Sequence, residues 1–112
     1  MNEEILAGHL QELRRGTVVV ACLSLLQSPQ YGYSLLETLS KAGIEVDTNT
    51  LYPLLRRLEK QGLLRSEWNT EDARPRKFYS VSDDGKQLLE RLLTEWRNLD
   101  KALESIAQGD NR

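Results

Sequence analysis

A chain of 112 residues that is 39% apolar and 29% charged suits one soluble globular domain. One cysteine and one histidine exclude a disulfide framework and the usual Cys/His zinc sites. No acid, base and nucleophile converge in any motif, so neither an enzyme nor a cofactor is expected. The formal net charge of −2 speaks against a nucleic-acid partner until its distribution is read. Residues 1–47 hold 3 Lys/Arg against 6 Asp/Glu, residues 48–79 hold 7 against 4, and residues 80–112 hold 5 against 7. A local basic face governs phosphate attraction more than the sum does, and here it falls in the central block.

Residues 3–27 read as a first helix with two apolar faces, one along Leu6, Leu10, Leu13, Thr17 and Val20, the other along Val18, Val19, Cys22, Leu25 and Leu26. Two such faces imply two packing partners, and Gly16 in the middle counts against one uninterrupted helix. Arg14-Arg15 followed by "VVAC" imitates an export signal, but the apolar stretch before Cys22 is shorter than the ~7–15 residues a signal core needs. The run 18–26 is far short of the ~20 residues that span a bilayer. Cys22 is therefore read as a small core residue, and a reduced cytoplasmic setting without a membrane as the chain's place.

"SPQYGYSLLETLSKAG" (Ser28–Gly43) predicts a second helix, with Ser28 and Pro29 as cap and first position, Leu35, Leu36 and Leu39 as core face, and Gly43 as stop. After "IEVD" comes a third helix. Its Pro53 is tolerable only in a first turn, so Thr48, Asn49 or Thr50 is the expected N-cap. Leu51, Leu54, Leu55 and Leu58 make one apolar stripe; the opposite side carries Asn49, Pro53, Arg56 and Lys60, flanked by Thr50, Tyr52 and Arg57. Gly62 ends it. A basic outer face is ordinarily just solvated, but two short helices with the second one basic outside form a helix-turn-helix pattern.

"LLRSEW" (Leu63–Trp68) and "KFYSV" (Lys77–Val81) alternate as strands around the polar loop "NTEDARPR", whose outgoing side gathers Arg74, Arg76 and Lys77. A hairpin directly after a recognition-type helix is a wing. Ser82-Asp83-Asp84-Gly85 opens a last helix in which Leu88, Leu92, Trp96, Leu99, Leu103 and Ile106 follow a coiled-coil-like spacing. So long a helix has too few partners within its own chain, which points to a second copy. The expected fold is mainly α with a small two-stranded β-wing. Residues 1–82 form the winged helix-turn-helix, its first helix shared with the dimer interface; 83–108 form the dimerisation helix and 109–112 a disordered tail.

"ELRRGT" (Glu12–Thr17), "YGY" (Tyr31–Tyr33), "TLYPLLRRLEKQGLL" (Thr50–Leu64), "RPRKFYSVSDDG" (Arg74–Gly85) and "TEWRNLDKAL" (Thr94–Leu103) together resemble the PadR family of bacterial transcriptional regulators, in its short subgroup. The resemblance implies a dimeric repressor on a pseudo-palindromic operator in double-stranded DNA. It places Asn49, Thr50, Tyr52 and Pro53 at base edges and backbone, with Arg56 and Lys60 at phosphates. It also places Tyr33, Arg74, Arg76 and Lys77 at backbone or minor groove. Arg57 is read equally as solvated or ion-paired, and Tyr31 as core rather than contact. Leu92, Trp96, Leu99 and Leu103 line the expected dimer seam. Trp96 is read either as dimer packing or, as the resemblance implies for some short members, as a wall stacking a planar aromatic ligand whose binding releases the operator. Asp100 matches a pore-facing position beside it. The alternative is a winged-helix protein–protein interaction module without DNA binding. A basic third helix and a basic wing count against that.

Overall fold

The computed structural model describes residues 1–71 and 73–109; beyond Gly109, the expected disordered tail lies outside the described residues. The first helix is broken near Gly16, giving α1 (Glu3–Arg14) and α2 (Thr17–Leu25). Asn2 caps α1 by accepting from the Glu4 and Ile5 amides. At the junction Thr17 Oγ1 donates to the Arg14 carbonyl at 2.6 Å, standing in for a ladder bond that the break removes. The helix expected over 3–27 is thus two segments. They differ sharply in burial, since α1 buries none of its residues whereas α2 buries Cys22 and Leu23. Desolvation pushes the Cys22 thiol up to about 12, as expected of a core cysteine.

The second predicted helix starts later than its sequence suggested. Gln30–Tyr31 is a short strand, β1, and the helix α3 runs from Gly32 to Lys41. Ser28-Pro29 resembles a helix start, but the backbone at Gln30 and Tyr31 is claimed by antiparallel pairing with Tyr79 and Phe78. Gln30 Nε2 donates to the Leu25 carbonyl at 3.2 Å and secures the turn out of α2. Gly43, at φ +90°, lets the Ile44 amide reach back to the Leu39 carbonyl, so α3 ends where glycine predicts.

The third helix, α4, spans Thr48–Lys60. Its N-cap is Asp47, whose carboxylate accepts from the Thr50 amide at 2.8 Å, one residue before the expected caps. Pro53 therefore lies inside the helix rather than in its first turn, and the Asn49 carbonyl lacks its usual i+4 donor. Leu51, Leu54, Leu55 and Leu58 hold the helix against that defect; all four are buried. Gly62, at φ +79°, closes it, with the Leu63 amide bonded to the Leu58 carbonyl.

The wing strands are β2 (Leu64–Asn69) and β3 (Arg76–Val81), paired in register from Leu64 with Val81 to Asn69 with Arg76. With β1 on the other edge of β3, the sheet has three strands in the order β1-β3-β2, one more than the hairpin predicted. Strand parity puts Leu64, Ser66, Trp68, Lys77, Tyr79 and Val81 on one face and Arg65, Glu67, Asn69, Arg76, Phe78 and Ser80 on the other. The first face closes the core around Leu23, Leu26, Leu35, Leu39 and Leu55.

Helix α5 (Asp83–Ala107) starts at Ser82, which is buried and doubly engaged. Its hydroxyl donates to the Gly62 carbonyl at 2.6 Å and accepts from the Gly85 amide at 3.0 Å. Gly85 sits against the Leu63 carbonyl so closely that an added Cβ would lie 2.2 Å from that oxygen. Leu88, Leu89, Leu92 and Leu93 pack on the body, after which α5 projects away. Trp96, Leu99, Leu103 and Ile106 are all about half exposed or more, as are Ile5 and Leu13 of α1. The radius of gyration is 16.9 Å, against ~13 Å for a compact chain of this length.

Candidate nucleic-acid interface

Three elements converge on the surface that carries the chain's positive charge. Helix α4 supplies Asn49, Pro53, Arg56 and Lys60, exposed on the side away from its buried leucines, with Thr50 and Arg57 exposed at the flanks. Tyr52 is half-buried at the flank, and its ring lies against Gly32, where an added Cβ would come within 2.6 Å of Tyr52 Cε1. That missing side chain is what lets the start of α3 approach α4 closely.

Tyr33 lies one residue further along α3, and the wing is tied to it. Arg76 Nη1 donates to the Tyr33 hydroxyl at 2.8 Å. The Arg76 guanidinium carbon lies 4.7 Å from the Tyr31 ring centroid and 5.8 Å from that of Tyr33, with the two rings stacked 6.1 Å apart at 11°. Both distances are within cation–π range. Tyr31 also meets Phe78 edge-on, at 6.0 Å and 84°, and its hydroxyl accepts from Asn69 Nδ2 at 2.5 Å. Asn69 and Arg76 are the paired ends of β2 and β3. Tyr31 thus grips both strands of the wing at their outer end, a role invisible when it was read only as core. Two residues of strand are too few for periodicity to reveal.

Lys77 differs from the expected groove contact in its placement. Its ammonium bonds Glu59 Oε1 at 3.1 Å and lies 5.4 Å from the Tyr79 ring centroid, leaving its side chain 29% exposed. Glu59 belongs to α4, and its second oxygen accepts from the Ser66 hydroxyl of β2. The Ser66 hydrogen bond, followed by Lys77, holds the Glu59 carboxyl below its ordinary pKa. Lys77 therefore joins the wing to α4. Arg74, by contrast, is exposed in the wing loop beside an open groove of about 600 Å³ bounded by Tyr33, Ala73, Arg74 and Arg76.

A second, smaller cleft of about 260 Å³ opens between the wing, the start of α3 and Tyr52 of α4, with Tyr33, Tyr52, Trp68, Arg76, Lys77 and Tyr79 in its walls. Trp68 is the member that sequence reasoning passed over, and it is 63% exposed. The structure thus brings Tyr33, Tyr52, Arg76 and Lys77 of the predicted set around one cleft. Trp96 and Asp100 lie far along α5, both exposed. Among the described residues no group of His, Cys, Asp and Glu could hold a metal, and no helix is long and apolar enough to cross a membrane.

The model of the transcriptional regulator PadR-like family matches residues 22–91. The chain is 41% identical over 78 residues to Transcriptional regulator Rv3488 of Mycobacterium tuberculosis, covering 70% of this chain and 66% of that protein. It is 24% identical over 113 residues to Uncharacterized protein X of Lysinibacillus sphaericus, covering 97% of each. Among solved structures it is similar to a PadR family transcriptional regulator from Eggerthella lenta, at 43% identity and a TM-score of 0.91 over 94% of both chains. A PadR-like transcription factor from Bacteroides fragilis is 31% identical, with a TM-score of 0.74, over 88% of this chain and 98% of that one.

Proposed function

The chain belongs to the PadR-like family of transcriptional regulators, whose members are not enzymes, and from that membership we propose that it is a dimeric repressor that binds duplex DNA through α4 and the wing. The observation that carries the reading is the division of α4. Four leucines fill the core while Asn49, Arg56 and Lys60 stand exposed on the other side, with Thr50 exposed at the flank. Lysine and arginine at phosphates supply affinity and salt dependence, whereas the short polar side chains near the helix start supply sequence preference at base edges. Arg74 and Arg76 extend the positive surface onto the wing, and Lys77, through Glu59, keeps the wing seated on α4.

The second copy in this reading covers α1 and the distal half of α5. Full burial of an apolar side chain is worth about 1.5–3 kcal/mol. Ile5, Leu13, Trp96, Leu99, Leu103 and Ile106 are about half exposed or more, so each keeps roughly half or more of that value for association. A (pseudo)palindromic operator follows from two-fold symmetry. Trp96 is read as part of this seam. Its exposed indole one turn before the Asp100 carboxylate supports a second role, stacking a planar aromatic ligand whose binding releases DNA.

The test is fluorescence anisotropy with duplexes from the chain's own upstream region and with scrambled duplexes, across a salt series. Arg56→Ala should weaken binding to every duplex and reduce the salt slope by about one. Asn49→Ala should narrow the preference between duplexes. No binding even at low salt would move the chain to the protein-interaction class of winged helices. For the ligand, an unchanged Trp96 emission across a panel of planar aromatics would sink the release mechanism and leave the dimer seam.

A further inference from the structure

Trp68 is placed by strand parity with Leu64 and Ser66 on the sheet face that closes the core, yet it is 63% exposed. Past the core, that inner face opens on a cleft that Trp68 shares with the start of α3 and with Tyr52 of α4. Directly across the ladder is Lys77, which could have covered the indole with its aliphatic stem; instead its ammonium is drawn to Glu59. A lone exposed tryptophan would need no explanation. Trp68, however, shares a cleft of about 260 Å³ with Tyr33, Tyr52 and Arg76, two phenols and a guanidinium beside an indole. Apolar ring faces with polar tips and a cation suit a sugar–phosphate step, whose deoxyribose packs on rings while its phosphate takes hydrogen bonds and charge.

We propose that the cleft between the wing, the start of α3 and Tyr52 of α4 seats one sugar–phosphate step of a bound duplex, and that Trp68 is a contact residue in it. The inference rests on the DNA-binding reading above and adds a position that its motifs leave out. Duplex DNA is the occupant because the surrounding block, residues 48–79, carries the chain's excess of Lys and Arg. Trp68 contributes no charge. Its loss should lower affinity without changing the number of ions released, unlike the loss of Arg56.

The chain is labelled with 5-fluorotryptophan, which gives two fluorine resonances for its two tryptophans, and the Trp68 signal is assigned by its absence in Trp68→Phe. A random-sequence duplex is titrated at about 50 mM salt, where non-specific binding is strong, with anisotropy of a DNA label followed in parallel. The expected result is a saturable shift of the Trp68 resonance at the anisotropy midpoint. Trp68→Ala should bind about tenfold more weakly with an unchanged salt slope, and Trp68→Phe should recover most of that loss. Rising anisotropy with a silent Trp68 resonance overturns the seat and leaves DNA binding standing. Flat anisotropy overturns DNA binding and the seat with it. The resonance experiment uses the unsubstituted chain, so a misfolded Trp68→Ala would not shield the proposal.

Discussion

Replacing Pro53 with alanine should stabilise this protein, and the amount can be worked from the course of α4. Asp47 caps the helix, so its first bond runs from the Leu51 amide to the Asp47 carbonyl at 2.9 Å. Two residues later the ladder calls for an amide at position 53, and proline has none. A proline in a helix interior is disfavoured by about 3 kcal/mol relative to alanine, through the missing bond and the ring's clash with the carbonyl four residues back. Two features reduce that figure here. The orphaned carbonyl belongs to Asn49, which is exposed, so water can satisfy it. Pro53 is itself exposed, so its removal opens no cavity. A net gain of about 1–2 kcal/mol is expected. The measurement is urea unfolding at fixed protein concentration, followed by circular dichroism: the midpoint should rise with the slope unchanged. An unchanged or lower midpoint would refute the reasoning and mean that α4 is not a continuous helix across Asn49–Pro53. If Pro53→Ala is more stable but binds DNA less well, the helix defect serves the interface.

Tyr31→Phe keeps the ring under Arg76 but frees Asn69, so amide exchange at the outer ends of β2 and β3 should quicken by about fivefold, for a lost hydrogen bond of ~1 kcal/mol; Tyr31→Leu should quicken it further. Gly85→Ala forces a methyl to 2.2 Å from the Leu63 carbonyl and should lower stability by about 2–3 kcal/mol in the same urea assay, despite alanine's better helix propensity. Glu59 has a depressed folded-state pKa, so its contribution is present above the unfolded carboxyl range and is lost as pH falls through the folded value. The stability difference between the chain and Glu59→Gln should therefore be constant at neutral pH and shrink on acidification below about pH 4. Leu103→Asp, on the exposed stretch of α5, should shift sedimentation from dimer to monomer; a dimer of unchanged strength would place the interface elsewhere.

Helix stops were legible wherever one residue type has one physical use. Gly43 and Gly62 both adopt positive φ where they were expected to end helices. The leucines of α4 were legible because four apolar residues at helical spacing leave one way to bury them. The start of α4 was misplaced because Asp47, Thr48, Asn49 and Thr50 can all cap, and only the completed turn shows which carboxylate meets an amide. The strand at Gln30–Tyr31 went unread for a similar reason: its partner, β3, lies almost fifty residues onward, and only pairing makes those two residues extended.

The interface divides in the same way. Composition and periodicity alone marked the central block as basic and set Asn49, Arg56 and Lys60 opposite the leucine stripe, because a helix's faces follow from its own pitch. Contacts between elements came only with the tertiary fold. Lys77 was placed at backbone or minor groove by the family resemblance, and the packing of β3 against α4 turns its ammonium to Glu59. Arg76 is held by Tyr31 and Tyr33, and Trp68 overhangs the cleft beside Tyr52, through pairings that span the chain. A local pattern can assign a side chain to a face. What waits across from that face depends on long-range packing, which no local period encodes.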